Sequence, residues 1–379
     1  MSLTVLMNAG PWLPVPPGGY GGIENIVGWL VPELRRRHDV RVILATVDQS
    51  TLPVDEKLAL FDEGMFHCLA APYRDSVGVA HAHMQHVIAN LPGRGVDLIH
   101  DHLEVVGPSM LSVLGDACPP TLQTLHWDLS KHPKFYSTFK GKGRIFFNAV
   151  SNAHQGTAPE NLRDQIIKAV NLAVDVDAYR LEPEKDDYYL TLFRFTQVKG
   201  IDIAARICKE LGVRLRMAGP VAGIPDRERL DQELADPDSP YHSRLDVQYY
   251  LGSVQPYEDG DRIVWVGTVD GPEKQRLLGR AKALLAPIQW EEPGGTAMLE
   301  ALACGTPVIG MRRGALTDII EHGKNGFLCD DEAEFASYLP RAHEIDPNAC
   351  RRSAEARFSV PTMADAYVEL YHEVLRRAS

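Results

Sequence analysis

Two glutamates that flank a glycine pair are the residues of this sequence with the clearest capacity for chemistry. They are Glu292 and Glu300 in the segment PIQWEEPGGTAMLE, with Gly294 and Gly295 between them. A carboxylate accepts both hydrogens of a vicinal diol, and a glycine-led helix N-terminus leaves amides that bind a phosphate. Sugar hydroxyls beside a phosphate are the features of a sugar nucleotide, so this segment predicts a site for such a ligand.

The elements around this segment place the glutamates at the edge of a sheet. Ala283–Ala286 has the apolar composition of a buried strand end, and Thr296–Cys304 is rich in helix-forming residues. The helix would begin after Gly295 and leave the amides of Thr296 and Ala297 without intrahelical acceptors. The alternative interpretation is an ordinary loop before an acidic helix, in which the glycine pair has no ligand.

Two basic residues follow another predicted strand. The segment FRFTQVKG lies between strand Tyr188–Phe193 and helix Ile201–Leu211, and it contains Arg194 and Lys199. A guanidinium and an ammonium group held at fixed positions are a common pair of diphosphate ligands. Two exposed basic residues without any ligand are the alternative.

A glycine-rich loop follows the first predicted strand, Leu3–Met7. Its sequence GGYGGIE includes Gly21 and Gly22, which allow a backbone to approach a ligand closely. The dinucleotide-binding fingerprint G-x-G-x-x-G fails, because Glu24 occupies the place of its third glycine. This mismatch argues against a dehydrogenase, and a flexible surface turn is the alternative interpretation of the loop.

Strand and helix patterns alternate along the chain, as in doubly wound α/β proteins. A length of 379 residues exceeds one ordinary core, so two domains are expected. The elements predicted in the first half are helix Ile23–Arg37, kinked or split at Pro32, strands Val40–Ala45 and Met65–Leu69, helix Val77–Asn90, strand Val96–His100, helix Pro108–Leu114, and strands Thr121–Leu125 and Ile145–Val150. The segment 359–379 has the apolar periodicity of an amphipathic helix.

Histidines cluster in the first half of the sequence. His126 ends a predicted strand, where ligands bind in α/β sheets, although a histidine packed under Trp127 is an alternative. Five further histidines lie in or beside predicted elements: His81, His83, His86, His100 and His102. A metal site is one interpretation of these five, and solvated side chains are the other. The second is favoured because no carboxylate or cysteine set completes a ligand group.

The segment Lys131–Arg144 has an unusual composition, with five Lys or Arg residues and no acidic residue. Phe135, Tyr136 and Phe139 are interleaved with the basic residues. This pattern predicts a patch that binds an anionic acceptor or makes a peripheral contact with a membrane. A mobile, solvated loop is the alternative.

The composition argues against several classes of protein. Charged residues make up 24% and apolar residues 45% of the chain, as in ordinary globular domains. The net charge of −12 argues against a nucleic-acid partner. The six cysteines are scattered without a C-x-x-C pair, so neither a disulfide framework nor a zinc site is expected. The start MSLTVLMNAG lacks a signal-peptide pattern, and a cytoplasmic location is the expectation.

Three segments resemble signature sequences of glycosyltransferase family four, the group 1 glycosyltransferases. They are GGYGGIE, FRFTQVKG, and the run EPGGTAMLEALACGTPVIG followed by RRGALTDIIEHGKNGFLCD. The resemblance implies a GT-B fold, in which two Rossmann-like domains face each other across a cleft and the C-terminal helix crosses back to the first domain. The expected divisions are an acceptor domain at 1–172, a linker at 173–187, a nucleotide-sugar domain at 188–358 and the returning helix at 359–379.

The same resemblance implies a role for each candidate residue. Arg194 and Lys199 would hold the diphosphate. Glu300 would bind the ribose hydroxyls, Glu292 would contact only the donor sugar, and His126 would also contact that sugar. The remaining residues expected to bind the donor or its nucleotide are Gly21, Gly22, Gly219, Gly267, Val269, Gly294, Gly295, Thr296 and Ala297.

The implied reaction moves a sugar from a UDP- or GDP-linked donor to an acceptor hydroxyl, with retention of the anomeric configuration. Asp101 and His102, in the segment DLIHDH, would face the acceptor, which is a glycan, a lipid or a small molecule. The resemblance implies a hexosyltransferase that needs neither a metal nor another cofactor. A sugar-nucleotide epimerase on the same fold and a non-catalytic sugar-nucleotide-binding protein are the alternatives. The polar insertion at 221–260 has no expected role.

Overall fold

The structure, a computed structural model, describes the following residues: 3–18, 21–70 and 73–379. They form two compact units, the second of which is Val174–Ser359. The first unit combines the chain up to Ala173 with the C-terminal segment from Val360. Gly19 and Tyr20 of the glycine-rich loop lie outside the described residues. Each unit is built on one parallel sheet, so the predicted pair of Rossmann-like α/β domains is confirmed.

The strands fall into one sheet per unit. Those of the first sheet are β1 Thr4–Asn8, β2 Arg41–Thr46, β3 Glu56–Ala59, β4 Leu98–Asp101, β5 Thr121–Leu125, β6 Ile145–Ala149 and β7 Ile166–Ala169. Those of the second sheet are β8 Tyr189–Leu192, β9 Leu215–Ala218, β10 Ile263–Gly267, β11 Leu284–Ala286, β12 Val308–Met311 and β13 Gly326–Cys329.

Helices connect and cover these strands. In chain order the α-helices are α1 Gly22–His38, α2 Tyr73–Ala89, α3 Val106–Val113, α4 Pro133–Thr138, α5 Asn152–Gly156, α6 Glu160–Arg163, α7 Ile201–Leu211, α8 Arg227–Ala235, α9 Leu245–Tyr249, α10 Gly271–Arg280, α11 Thr296–Ala303, α12 Leu316–Ile319, α13 Glu332–Tyr338, α14 Pro347–Phe358 and α15 Val360–Ala378. Short 3-10 helices lie at Phe66–Ala70, Gly115–Ala117, Leu129–Lys131, Val176–Ala178, Gln197–Lys199, Pro240–Ser243, Gln255–Tyr257 and Leu339–Glu344, and a π-helix spans Tyr250–Val254. Within the described ranges, no helix has the length and apolar character needed to cross a membrane.

The strand order of each sheet defines where a ligand would bind. The orders are β3-β2-β1-β4-β5-β6-β7 and β10-β9-β8-β11-β12-β13, with every neighbouring pair parallel. The direction in which strands are added therefore reverses between β1 and β4 in the first sheet and between β8 and β11 in the second. In open α/β sheets, ligands bind at such a reversal, beyond the carboxyl ends of the strands.

The C-terminal helix α15 packs on the first unit, as predicted. Its apolar stripe is buried against α1 in the core of that unit. The buried residues of this stripe are Met363, Ala364, Tyr367, Leu370, Tyr371 and Val374. Tyr371 also reaches the sheet, because its hydroxyl forms a 2.7 Å hydrogen bond with Nδ1 of His100. A hydrophobic face and a buried polar contact thus hold the helix on the first unit.

Two details of the predicted secondary structure are wrong. The strand expected at Met65–Leu69 is a 3-10 helix, and the edge strand is instead β3, Glu56–Ala59. The pattern was misleading because β3 buries only Leu58 and begins with the charged residues Glu56 and Lys57, as edge strands often do. Helix α1 also continues through Pro32 without a split. Several buried side chains on α1 outweigh the one backbone hydrogen bond that proline removes.

The segment 173–187, predicted as a linker, packs on the second unit. The amide of Glu182 donates to the carbonyl of Cys304 at 3.0 Å. The ammonium group of Lys185 donates to the hydroxyl of Thr306 at 2.9 Å. Its polar composition therefore reflects contacts with the ends of α10 and α11.

Candidate functional site

Two loops meet where the strand order of the second sheet reverses. Residues 193–200 follow β8, and residues 287–295 follow β11. These strands are neighbours, so their carboxyl ends bring the two loops together. The amide of Gln289 in the second loop donates to the carbonyl of Val198 in the first, at 2.8 Å. The predicted residues Lys199 and Glu292 lie one in each loop.

Lys199 and Glu292 form an ion pair between the loops. The ammonium group of Lys199 donates to Oε2 of Glu292, and the two side chains are only 13% and 11% exposed. The indole N–H of Trp290 donates to the same oxygen at 2.8 Å, and Lys199 lies 5.4 Å from the centre of that indole ring. A carboxylate and an ammonium this buried require such partners. Sequence analysis identified both charged residues but missed Trp290, whose place two residues before Glu292 was the available signal.

The backbone of Gly314 packs against the backbone of Glu292 in the loop 287–295. A Cβ atom at Gly314 would lie 2.2 Å from the amide nitrogen of Glu292, and its φ of 51° is left-handed. The amide of Ala315 donates to the carbonyl of Glu292 at 2.7 Å, and the amide of Gly314 donates to Oε2 of Glu291 at 2.6 Å. This close approach gives a structural reason for glycine in the segment RRGAL.

Helix α11 begins beside Glu292, as the sequence predicted. Gly295 precedes its first residue with a φ of 90°, and a Cβ atom there would lie 2.3 Å from Cε of Met298. Gly294 is buried, whereas Gly295, Thr296 and Ala297 are half-buried. The first amides of the helix lack intrahelical acceptors and carry the positive end of the helix dipole.

Glu300 lies one turn into α11 and has two partners of its own. Its Oε1 accepts a 2.8 Å hydrogen bond from the ammonium group of Lys274 on α10. The hydroxyl of Tyr179 also bonds to Glu300, and burial with this negative charge raises the pKa of that phenol. Both partners were missed by sequence analysis, since Tyr179 lies in the predicted linker and Lys274 on the outer turn of a helix.

The glycines that follow β9 and β10 lie beside the start of the basic loop. Gly219 donates its amide to the carbonyl of Gly267 at 2.9 Å, and a Cβ atom at Gly219 would lie 2.0 Å from the carbonyl oxygen of Phe193. Only glycine permits this contact, because φ at Gly219 is also 133°. Val269, two residues beyond Gly267, is buried.

Arg194 is placed differently from Lys199. It is exposed, whereas its neighbours Phe193 and Phe195 are buried. The Arg194 side chain therefore lies at the surface of the second unit, between two phenylalanines that face its core. Within the described residues, Arg194 takes no part in the ion pair of Lys199 and Glu292.

In the first unit, Asp101 lies where the order of that sheet reverses. It ends β4 beside Asn8 of β1, and Nδ2 of Asn8 donates to its Oδ1 at 2.6 Å. The side chain of Asp101 is fully buried, and its Oδ2 is unpartnered within the described residues. Burial raises the pKa of this carboxyl to about 7. His83 on α2 completes the group by bonding to Oδ1 of Asn8 at 2.7 Å.

Three further histidines, His100, His102 and His126, lie next to this group. Nδ1 of His102 and Nε2 of His126 lie 2.8 Å apart, and His126 is partly exposed. His100 is fully buried between Tyr371 and Thr124, with both ring nitrogens bonded at 2.7 Å. Burial lowers the pKa of His100 and of His126 to about 3 and that of His102 well below its usual range, so these imidazoles are neutral.

These contacts correct the sequence-based view of the histidines. His83, His100 and His102 are buried rather than solvated. The metal interpretation is not supported either, because the described residues contain no group of three or more potential ligands arranged for a metal ion. The ring of His126 stacks on that of His102, with centroids 5.1 Å apart, and the neighbouring Trp127 is 41% exposed.

The glycine-rich loop leads into α1 through Gly21 and Gly22. A Cβ atom at Gly21 would lie 2.8 Å from two atoms of the Pro17 ring, so the backbone is tightly packed there. Glu24, in the first turn of α1, is buried, and burial raises its pKa to about 7. Sequence analysis used Glu24 only to reject a dinucleotide fingerprint and missed this buried carboxyl.

The basic segment Lys131–Arg144 is partly helical rather than a mobile loop. Its aromatic residues face inward, since Tyr136 and Phe139 are buried and Phe135 packs against the same core. The aromatic part of the predicted membrane patch is therefore wrong. The interleaved spacing was misleading because the residues of α4 alternate between the core and solvent with helical periodicity.

Most of the second unit is similar in sequence to known proteins. Residues 177–357 match the family model described as glycosyl transferases group 1. The chain is 31% identical over 124 residues to N-acetyl-alpha-D-glucosaminyl L-malate synthase of Bacillus anthracis, an alignment that covers 31% of this chain and 32% of that protein. It is 34% identical over 110 residues to D-inositol 3-phosphate glycosyltransferase of Corynebacterium jeikeium, covering 27% and 26% of the two chains. The chain thus spans about a third or less of the length of these two relatives.

Solved structures match the chain over its whole length. AviGT4, a glycosyltransferase involved in avilamycin A biosynthesis, has a TM-score of 0.64 at 24% identity, covering 99% of this chain and 98% of its own. Anabaena HepE in complex with UDP and glucose has a TM-score of 0.62 at 17% identity, covering 98% and 99%. At these identities the likeness concerns the fold, which is the two-domain α/β fold of GT-B glycosyltransferases.

Proposed function

We propose that the chain is a retaining hexosyltransferase of the group 1 glycosyl transferases, the family whose model residues 177–357 match, and that it uses a UDP- or GDP-linked donor. The acceptor is a hydroxyl group of a glycan, a lipid or a small molecule. The reaction needs neither a metal nor another cofactor. We also propose a cytoplasmic location, since all six cysteines are unpaired thiols and five of them are buried.

One observation carries this proposal. At the strand-order reversal of the second sheet, a buried ammonium group, a buried carboxylate and a helix N-terminus lie on two adjoining loops. Lys199 and the amides of α11 suit a diphosphate, and Glu292 suits the hydroxyls of a sugar attached to it. Glu300, one turn further along the helix, suits the ribose.

Departure of the nucleotide diphosphate is the step that these groups assist. The acceptor oxygen forms a bond to the anomeric carbon as the bond from that carbon to the phosphate oxygen breaks, on the same face of the sugar. The departing phosphate takes the proton of the acceptor hydroxyl. Lys199, Arg194 and the α11 N-terminus offer positive charge toward the leaving group, and Glu292 offsets part of the charge of Lys199. In the first unit we assign the donor sugar to His126 and the acceptor to Asp101 and His102.

Related proteins support the substrate class. HepE binds UDP and glucose, and a starch synthase of the same fold binds ADP and acarbose. The Bacillus anthracis relative is named for a glucosaminyl transfer to L-malate, which supports a small-molecule acceptor. These names support a nucleoside diphosphate sugar as the donor.

A thermal-shift panel of UDP-, GDP- and ADP-sugars, run with EDTA, tests the proposal. A ligand at 100 times its Kd stabilises the folded state by about 2.7 kcal/mol, which is a measurable shift. NMR of the stabilising donor without acceptor should then show only slow release of sugar and nucleoside diphosphate. Accumulation of an epimeric sugar nucleotide would instead identify an epimerase. No shift with any donor would refute sugar-nucleotide binding.

A further inference from the structure

The connection between β9 and β10 is much longer than the sheet requires. It runs over residues 219–262, whereas a helical crossover needs about 10–12 residues. It contains α8, α9 and the π-helix Tyr250–Val254. Most of its surface is exposed, and its fully buried side chains include Leu230, Val247, Tyr250 and Val254. The partners of the buried face therefore show what the insertion does.

Tyr250 of the insertion packs on the basic loop. Its ring contacts Phe195 edge-on, with centroids 5.4 Å apart, and Trp265 of β10 at 5.1 Å. Phe195 and Trp265 are themselves 5.5 Å apart, and Phe195 is fully buried. Phe195 is the residue after Arg194, so this three-ring cluster fixes the start of the loop that carries Arg194 and Lys199.

Polar groups hold Tyr250 in this position. Its hydroxyl donates to Oε1 of Glu258 at 2.9 Å, and the guanidinium of Arg227 donates to Oε2 of Glu258 at 2.6 Å. The same guanidinium lies 5.2 Å from the centre of the Tyr250 ring. Arg227 begins α8 and Glu258 follows the last 3-10 turn, so both ends of the insertion contribute to the support of Tyr250.

Tyr249, the preceding residue, contacts the other end of the loop. Its hydroxyl donates to Oδ1 of Asp202 at 2.5 Å and accepts the amide of Asp202 at 3.0 Å. Asp202 lies in the first turn of α7, whose N-cap is Gly200 and therefore has no capping side chain. The tyrosine hydroxyl thus satisfies a helix-terminal amide that an N-cap residue usually satisfies. Lys199 immediately precedes this cap.

We propose that the insertion holds the loop 193–200, which we call the diphosphate loop, in the position that binds a diphosphate. Tyr249 and Tyr250 are the positioning residues, and we call this role of the insertion a brace. Two adjacent tyrosines clamp the loop at Phe195 and at Asp202, on either side of Lys199. The inference rests on the proposed function, because it assigns the loop to the diphosphate. The insertion itself touches neither Arg194 nor Lys199 in any of these contacts, so it acts through the backbone between the two clamps.

The test compares ligands that differ by one phosphate. Isothermal titration of UDP against UMP, and of GDP against GMP, measures the increment in affinity from the second phosphate. We expect Tyr249→Phe to reduce this increment about 5–10-fold while leaving monophosphate affinity within about twofold, since misplacement of a charged ligand group costs affinity only where it binds. Tyr250→Phe should act in the same direction. Tyr241→Phe, an insertion variant whose hydroxyl is in neither clamp, is the matched control.

A double-mutant cycle separates positioning from general destabilisation. If Tyr249 acts through Lys199, Tyr249→Phe should cost less than about twofold in diphosphate affinity once Lys199→Ala is present. Equal losses for monophosphate and diphosphate, or additive losses in the cycle, would refute the brace. Tyr249→Phe removes one oxygen and carries the test even if Tyr250→Phe unfolds.

Failure of the brace and failure of the proposed function give different results. If the wild-type protein shows no diphosphate increment with either base, the assignment of the loop to a diphosphate is wrong. If the increment exists and Lys199→Ala removes it, but both tyrosine variants retain it, the function stands and the brace is refuted.

Discussion

Replacement of Glu292 by glutamine should tighten the binding of the bare nucleoside diphosphate while damaging turnover. The ammonium group of Lys199 is paired with Glu292, so a diphosphate has to share Lys199 with this carboxylate. From the sequence alone, Glu292 was expected to contact only the sugar, and its removal would then leave diphosphate affinity unchanged. The ion pair changes the expected sign of the effect.

The magnitude follows from the burial of the pair. Two unit charges 4 Å apart interact by about 4 kcal/mol at an effective dielectric constant of 20. Lys199 and Glu292 are 13% and 11% exposed, so solvent screens them only in part. If about a third of this energy opposes the phosphate, its removal contributes about 1.4 kcal/mol, or tenfold in Kd. Glutamine still accepts from the indole of Trp290, so the loop keeps that hydrogen bond.

Calorimetry of UDP and GDP on the wild type and on Glu292→Gln measures this effect. Glu291→Gln is the matched control, because it removes the same charge from the same loop, while its carboxylate contacts the amide of Gly314. Turnover of the intact donor should fall about 100-fold in Glu292→Gln, through loss of a contact that orients the sugar. Diphosphate binding no tighter than in the wild type, or equal tightening by Glu291→Gln, would refute the reasoning.

Three further outcomes follow from the two units. Glu300→Gln should weaken the binding of the bare diphosphate and of the intact donor equally, by about 1–3 kcal/mol of binding free energy, because both ligands carry the ribose. Unequal losses in calorimetry would contradict the assignment of Glu300 to the ribose. Burial raises the pKa of Asp101 to about 7, above about 3.9 in the unfolded chain, so wild-type stability falls as pH rises through this window. The Tm of Asp101→Asn relative to wild type should therefore increase between pH 4 and 7, and a constant difference would show that Asp101 is not perturbed. Gly314→Ala should cost about 1–3 kcal/mol in stability and displace Glu292, whereas Gly323→Ala, with a similar φ but open space around it, should affect stability alone.

Much of the fold was predictable because its signals are local. Strand β5 and helix α7 have the predicted bounds Thr121–Leu125 and Ile201–Leu211. Both have dense apolar patterns with a period that matches their structure. The secondary-structure predictions are wrong where the burial of a segment does not match its composition, as in the edge strand Glu56–Ala59, which begins with two charged residues. An apolar segment such as Phe66–Ala70 can remain exposed, and then its composition predicts a strand that does not form.

The candidate site was predictable in its parts but not in its contacts. Glycines at loop ends and charged residues after strands identified Lys199, Glu292 and Glu300. Their partners could not be predicted in the same way, because Trp290 lies two residues from Glu292 whereas Lys274 and Tyr179 reach Glu300 from other elements. No period or spacing in a sequence reports which side chains meet once a sheet has formed.

The order of the strands explains why these distant residues meet. Lys199 and Glu292 are 93 residues apart in the chain, yet β8 and β11 are neighbours because the strand order reverses between them. The same reversal in the first sheet brings Asn8 beside Asp101, also 93 residues apart. In each unit a pair of hydrogen-bonded polar side chains therefore lies at the edge of the sheet where ligands bind in α/β folds. In the second unit both Lys199 and Trp290 donate to Oε2 of Glu292, whereas in the first Oδ2 of Asp101 is unpartnered within the described residues. A Cβ atom at Gly107 would lie 1.9 Å from this oxygen, so the carboxyl packs tightly against the start of α3, and this burial is the reason that its pKa is raised to about 7.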